Sequence, residues 1–339
     1  MQYLNLFTSQ DRDTIVKARK GESKFGEHIQ LLPNLNNIYD SLEDLDVSYV
    51  IFGIKDDIGV FANHGKTGTS GTWDVAIKYL LNVQSNASTK AKKVAILGHL
   101  DYTDVFQNIL KSNKSAKKQI AKARSFVEEI DKDVSYLVSI IVKAGKIPIV
   151  IGGGHNNSYG NIKGASLALN KKISAVNFDA HSDFRPEEGR HSGNGFSYAY
   201  AEGFLKRYFV FGLHENYTSD KLFKTINKLK DIQYITYEDL EVRQKTTFTQ
   251  ALTEAEKHVC DRYFGLELDC DAIANIPSSA ATPSGFTTLQ ARQFITFFAR
   301  QNTVVYFHIC EAIAKKKSIQ AIGKLHSYFI TDFMRANNK

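Results

Sequence analysis

Eight short apolar runs punctuate this chain, at 47–54, 94–97, 147–151, 174–178, 207–211, 233–236, 263–268 and 303–309. They are short and rich in Val, Ile, Phe and Tyr, the composition of strands buried on both faces. Between them, apolar positions recur every three to four residues, as over 72–81, 115–144, 220–228 and 289–301. That is the period of a helix with one apolar face. Strands alternating with helices predict an α/β chain whose parallel sheet is wrapped by helices on both sides.

Charge changes this picture little. Lys and Arg number 43 against 36 Asp and Glu, a net charge of +7. Lys111, Lys114, Lys118 and Lys122 fall at helical spacing, with Ile120, Ala123 and Val127 in an apolar row beside them. This is the solvated face of an amphipathic helix. The chain has no zinc knuckle, no RNA-recognition aromatic motif and no helix-turn-helix pattern, so no nucleic-acid partner is expected. A positive field instead suits a small anionic substrate.

The 339 residues, 43% hydrophobic with five prolines, contain no Pro/Gly/Ser-rich linker and no internal repeat. One domain over 1–339 is expected. The opening Met1-Gln2-Tyr3-Leu4-Asn5-Leu6 lacks the basic and apolar regions of a signal peptide, and no 18-residue apolar window suggests a membrane span. Cys260, Cys270 and Cys310 form neither a metal spacing nor an even disulfide framework. A cytoplasmic protein is the simplest expectation. Gly65-Lys66-Thr67 mimics the end of a P-loop, but Val60 stands where that motif needs glycine, and Gly59 is one position too far.

The chemistry sits in three blocks, each following a strand-like run. They are Gly152-Gly153-Gly154-His155, Asp179-Ala180-His181-Ser182-Asp183 and Asp269-Cys270-Asp271. Ligands bind where parallel strands end. A lone Asp-x-Asp is often only a helix cap or turn. Alternation in an extended segment, however, projects Asp179, His181 and Asp183 to one face, and burying them together without a cation is costly. Two imidazoles and four carboxylates exceed what one small ion needs. They suit two divalent first-row ions sharing carboxylates, manganese foremost. Cys270, between two of these residues, should point the opposite way into packing. His99, His214 and His308, in or beside strand-like runs, are read as structural or supporting.

These blocks resemble the metal-binding motifs of the ureohydrolase superfamily, which comprises arginase, agmatinase and formimidoylglutamase. The similarity runs from about Val47 to the last helix. Gly152 to Gly160, with Tyr159-Gly160 after the histidine, is most similar to formimidoylglutamase. So are Asp179 to Arg185 and the loop Gly189 to Phe196, in which Asn194-Gly195 replaces the family's Thr-Pro. Asp269 to Phe286 resembles the family's Asp-x-Asp, Pro, Ala-x-x-Pro pattern. The stretch Gly59 to Gly68 is similar to the pocket-wall loop after the first strand, and contains Asn63.

The resemblance implies a three-layer α/β/α fold with a central, mostly parallel sheet of about eight strands. It implies two Mn2+ per subunit, bridged by Asp179 and Asp269. His155 and Asp183 would complete one coordination sphere, and His181 and Asp271 the other. Asp183 would take a proton from the attacking hydroxide, and Glu311 would pair with the substrate's amidinium. The family's Glu-x-Asn-Pro reads Glu311-Ala312-Ile313-Ala314 here. His191 is the nearest candidate proton shuttle. Arg185 and Arg190 are candidates for substrate carboxylates, with Ser192, Asn194 and Asn63 beside them. The implied reaction is hydrolysis of N-formimidoyl-L-glutamate to L-glutamate and formamide, in histidine degradation, by a trimeric or hexameric homo-oligomer. A urea-releasing guanidino hydrolase and a catalytically silent member are the alternatives.

Overall fold

A computed structural model describes residues 2–32 and 37–339, so Met1 at the head of the opening segment lies outside the described residues. Ten strands form one sheet. They are β1 (Leu4–Leu6), β2 (Gln30–Leu31), β3 (Tyr49–Lys55), β4 (Val94–Asp101), β5 (Ile147–Ile151), β6 (Ile173–Phe178), β7 (Leu205–Leu213), β8 (Ile232–Thr236), β9 (Phe264–Asp269) and β10 (Val304–Cys310). All eight expected strands are present as β3 to β10. The order is β1-β4-β3-β5-β10-β9-β6-β7-β8, with β2 also on β4. Only β1 runs antiparallel. The two additional strands share the outer edge of β4, β2 pairing at Ala95 and Ile96 and β1 from Gly98 to Leu100.

Every residue of β5, β6, β9 and β10 is buried, because helices cover both faces of the sheet. On one face Trp73, Ile77 and Leu80 of the helix Thr72–Leu80 join Phe294 and Phe298 of Thr288–Ala299. Phe329 and Phe333 of Ile319–Ala336 complete that layer. On the other face Val127, Ile130 and Val134 of Ala116–Lys143 pack with Ile162 and Ala165 of Asn157–Leu169. The architecture is therefore the expected three-layer α/β/α. Lys118 and Lys122 are exposed while Ala123 and Val127 are buried, so these two lysines lie on a solvated helix face, but Lys111 caps the preceding helix and Lys114 lies in the connection before Ala116. Among the described residues, no helix is long and apolar enough to cross a membrane.

The strand order is what assembles the site. β5, β10, β9 and β6 are consecutive neighbours at the centre of the sheet. Being parallel, they bring the segments that follow their C-terminal ends together, although these lie as far apart in sequence as His155 and Glu311.

Candidate metal centre

After β5 the backbone turns through Gly152 and Gly153, both with positive φ (88° and 69°), which a side chain would strain. The Glu311 amide bonds to the Gly153 carbonyl, and the Glu311 Oε1 accepts from the His155 amide at 2.7 Å, tying the ends of β5 and β10 together. The turn sets the fully buried His155 ring against carboxylates from β6 and β9. Its Nδ1 lies 2.8 Å from Asp183 Oδ2 and 3.2 Å from both Asp179 Oδ2 and Asp269 Oδ2. One ligand atom from each of these four residues falls within 4.8 Å of the others. His181 Nδ1 lies 3.6 Å from Asp179 Oδ1 and 3.9 Å from Asp271 Oδ2. The six residues thus form one continuous cluster, with Asp179 near both imidazoles.

Backbone and neighbouring polar groups fix the carboxylates. Asp179 Oδ1 accepts from the His181 amide, and Asp269 Oδ1 from the Asp271 amide. Asn177 Nδ2 donates to Asp179 Oδ2, while Asp271 accepts from Ser279 Oγ and the Ala280 amide. Asp183 (φ 43°) and Glu311 (φ 62°) sit in the left-handed region that non-glycine residues avoid, a strain characteristic of functional sites.

The electrostatics ask for a cation. Burial, reinforced by Asp271 and Asp179, drives the Asp269 carboxyl well above its usual range, and burial with Asp179 raises Asp183. Burial also raises Asp271, and it raises Glu311 to about 8 with Asp271 adding to the effect. At His181 burial opposes protonation, but the Asp179 carboxylate outweighs it and lifts the imidazole to about 10. Four carboxylates and Glu311 around two imidazoles leave surplus negative charge in a buried place. Nδ1 of His155 has no aligned hydrogen-bond partner among the described residues. Crowded oxygens around an orphaned imidazole nitrogen fit divalent metal ions, and the donor set suits them chemically.

The cleft above the cluster encloses about 230 Å³, below the range for drug-sized ligands, and so suits a small substrate. It is lined by His181, Asp183, Asp269, Asp271 and Glu311, together with Asn63, Arg185, Ser192 and Tyr217. Asn63 donates to Ser192 Oγ at 3.2 Å, and Arg185 spans Asn63 Oδ1 (2.7 Å) and Glu188 Oε1 (2.8 Å). The Tyr217 ring, not singled out by sequence, stacks on His181 with centroids 5.3 Å apart.

Three expectations need correction. Arg190 faces inward, where its guanidinium binds Asp131 through Nε and Nη2 and also meets Asn194 Oδ1 and the Asn156 carbonyl. It is 2% exposed and unavailable to a substrate. Asn194 is also buried, bonded to Arg190, the His191 amide and the Gly189 carbonyl. His191 is fully buried. Its Nδ1 accepts from the Gly193 amide and its Nε2 faces Glu188 at 3.3 Å, and burial with Arg185 and Arg124 lowers it to about 4. It braces the loop instead of facing the cleft as a shuttle.

His99 lies beside Trp73, His214 stacks between Tyr217 and Tyr237, and His308 bonds Glu267. Cys270 packs in the apolar core. Sequence reasoning missed Glu267, buried two residues before Asp269. A carboxylate of the same parity inside an apolar strand was the available signal.

The chain is similar to known proteins in sequence and in fold. Formimidoylglutamase of Streptococcus pyogenes serotype M3 is 28% identical over 250 residues, covering 70% of this chain and 68% of that protein. Among solved structures, Trypanosoma cruzi formiminoglutamase with Mn2+ superposes with a TM-score of 0.70 at 19% identity, covering 92% of this chain and 98% of the other. Formimidoylglutamase from Bacillus subtilis gives a TM-score of 0.71 at 16% identity, with 95% of each chain covered. The sequence profile of the arginase family matches residues 48–319, and the chain belongs to that family.

Proposed function

We propose that this chain is a formimidoylglutamase, hydrolysing N-formimidoyl-L-glutamate to L-glutamate and formamide. It does so as one catalytic unit over 1–339, in the cytoplasm and as a homo-oligomer. The observation that carries the reading is Glu311. It lines the cleft beside the carboxylate cluster, and its Oε2 is buried with no hydrogen-bond partner among the described residues. An unmatched buried acceptor is expensive unless a donor arrives, and a planar amidinium supplies a charged N–H to that oxygen. The relatives named formimidoylglutamase support the same substrate.

His155, Asp179, Asp183 and Asp269 would hold one ion, and His181, Asp271 and the shared Asp179 and Asp269 the other. Manganese is favoured because the Trypanosoma cruzi structures carry it. Two adjacent divalent ions, when bound, lower the pKa of a shared water so that hydroxide is present at neutral pH. Glu311 orients the amidinium so that its carbon faces the attacking oxygen. Asp183 accepts the proton of the attacking water and returns it to the departing α-nitrogen as the C–N bond breaks. The carbon leaves as formamide with the new oxygen, and glutamate leaves as the amine.

The two substrate carboxylates call for cations at the cleft mouth. With Arg190 committed to Asp131, Arg185 remains, half-exposed and already paired with Glu188. Lys66, next to cleft-lining Gly65, and Lys315, four residues after Glu311, are the further cations we assign to this role, although neither side chain lines the cleft itself. Both are exposed, and Lys66 lies close enough to lower the Lys315 pKa. A manganese-loaded assay offering formimidoylglutamate, arginine, agmatine and 4-guanidinobutyrate side by side tests the proposal. Glutamate and formamide from the first alone are expected, and urea from any of the others would overturn it.

A further inference from the structure

On the far side of His155 from the three aspartates, polar side chains meet inside the sheet. Register pairs Glu267 of β9 with His308 of β10, and Gly265 with Tyr306. The Tyr306 hydroxyl donates to Glu267 Oε1 at 2.7 Å, and His308 Nδ1–H donates to Oε2 at 2.6 Å. All three side chains are fully buried. Gly265 makes the arrangement possible, since a Cβ there would lie 2.0 Å from the Tyr306 ring. A buried glutamate in the middle of a parallel sheet is retained only if its oxygens are satisfied.

The same Oε2 lies 3.4 Å from His155 Nε2, which has no aligned hydrogen-bond partner among the described residues. A neutral imidazole carries one N–H and one lone pair. A proton on Nε2 directed at Glu267 leaves the Nδ1 lone pair facing Asp179, Asp183 and Asp269. The 3.4 Å separation is at the outer limit of hydrogen-bond reach, and a small rotation of the ring would align and shorten it.

We propose that Glu267 is a positioning residue that fixes the tautomer and ring angle of His155, with Tyr306 and His308 clamping Glu267 in place. The inference rests on the reading that the cluster holds two ions, and it makes them unequal. Glu267 reaches His155, whereas His181 has its own neighbours, Asp179 and Asp271. Removing the Glu267 acceptor therefore weakens one ion and spares the other.

The full-length chain, stripped with chelator, is titrated with Mn2+, and free ion is read by electron paramagnetic resonance. Glu267→Met removes the acceptor at similar volume, while Glu267→Gln keeps a weaker one and protects the test should the first variant not fold. The expected result is two ions in the wild type and a 10- to 100-fold loss of affinity at one of them in Glu267→Met, the usual effect of losing such a partner. Glu267→Gln should show a smaller loss at that same ion. Unchanged affinities in folded variants, or equal weakening of both ions, would overturn the role of Glu267 while leaving the proposed function intact. A wild-type chain that takes up no manganese would overturn that function and this inference with it.

Discussion

Arg190 and Asp131 meet in a two-point bond, Nε to Oδ2 at 2.8 Å and Nη2 to Oδ1 at 3.1 Å, joining the loop after β6 to the helix Ala116–Lys143. Both side chains are almost wholly buried. Breaking such a pair from one side strands the other charge, at about 3 to 5 kcal/mol. Arg190→Ala should lower unfolding stability by that amount in urea titrations. Arg190→Lys should rescue it only partly, because the fork is lost.

Ion binding should stabilise the chain, because it neutralises the crowded carboxylates of the centre. With manganese at 100 to 1,000 times its dissociation constant, linkage gives about 3 to 4 kcal/mol per ion. Thermal melts should rise with added Mn2+ and fall with chelator. A melting temperature indifferent to both would contradict the metal reading.

Asp183→Asn keeps the shape of a side chain that lies 2.8 Å from His155 and removes its ability to take a proton. Turnover of formimidoylglutamate should fall by at least ~100-fold, the lower bound for losing a general base. Steady-state kinetics at saturating manganese would measure it.

Substituting Lys66 or Lys315 by Met should act on binding. KM should rise roughly 5- to 10-fold with kcat little changed, the pattern of a contact made equally in ground and transition states. The wild-type kcat/KM should also fall with added salt more steeply than that of the variants.

His326, fully buried in the helix Ile319–Ala336, is pushed by burial down to about 4. Its folded pKa is below the unfolded value near 6.5, so the unfolded chain binds the extra proton. Stability from this group is complete above pH 6.5 and is lost as pH falls toward 4, by at most about 3 kcal/mol. Between pH 7 and pH 5 the wild type should lose several degrees of melting temperature more than His326→Gln.

The eight long strands were legible because each carries an apolar run bounded by turns, and the six-residue cluster because its blocks follow three of them. β1 and β2 were not, since three and two residues hold no period. The two candidate arginines could not be told apart by sequence. Both follow the Asp-x-His-x-Asp block, and the partner that claims Arg190 is Asp131, 59 residues away on a helix. His191 lies in a Gly-rich stretch that reads as exposed, yet the loop folds back and buries it as the cap of a 3-10 turn. Glu267 was masked by its apolar neighbours.

The position of β10 has a temporal side. The last strand in the chain is seated between β5 and β9, near the middle of the sheet. During synthesis, His155, Asp179 and Asp183 emerge long before the strand that draws their supports together. A chain halted before residue 304 must leave β5 and β9 without their shared neighbour, so the centre forms late, through contacts distant in sequence and slow to close. Nascent chains therefore pass a long stretch of synthesis, from Asp183 to the start of β10 at Val304, with acidic ligands in hand and no finished cage to sequester an ion.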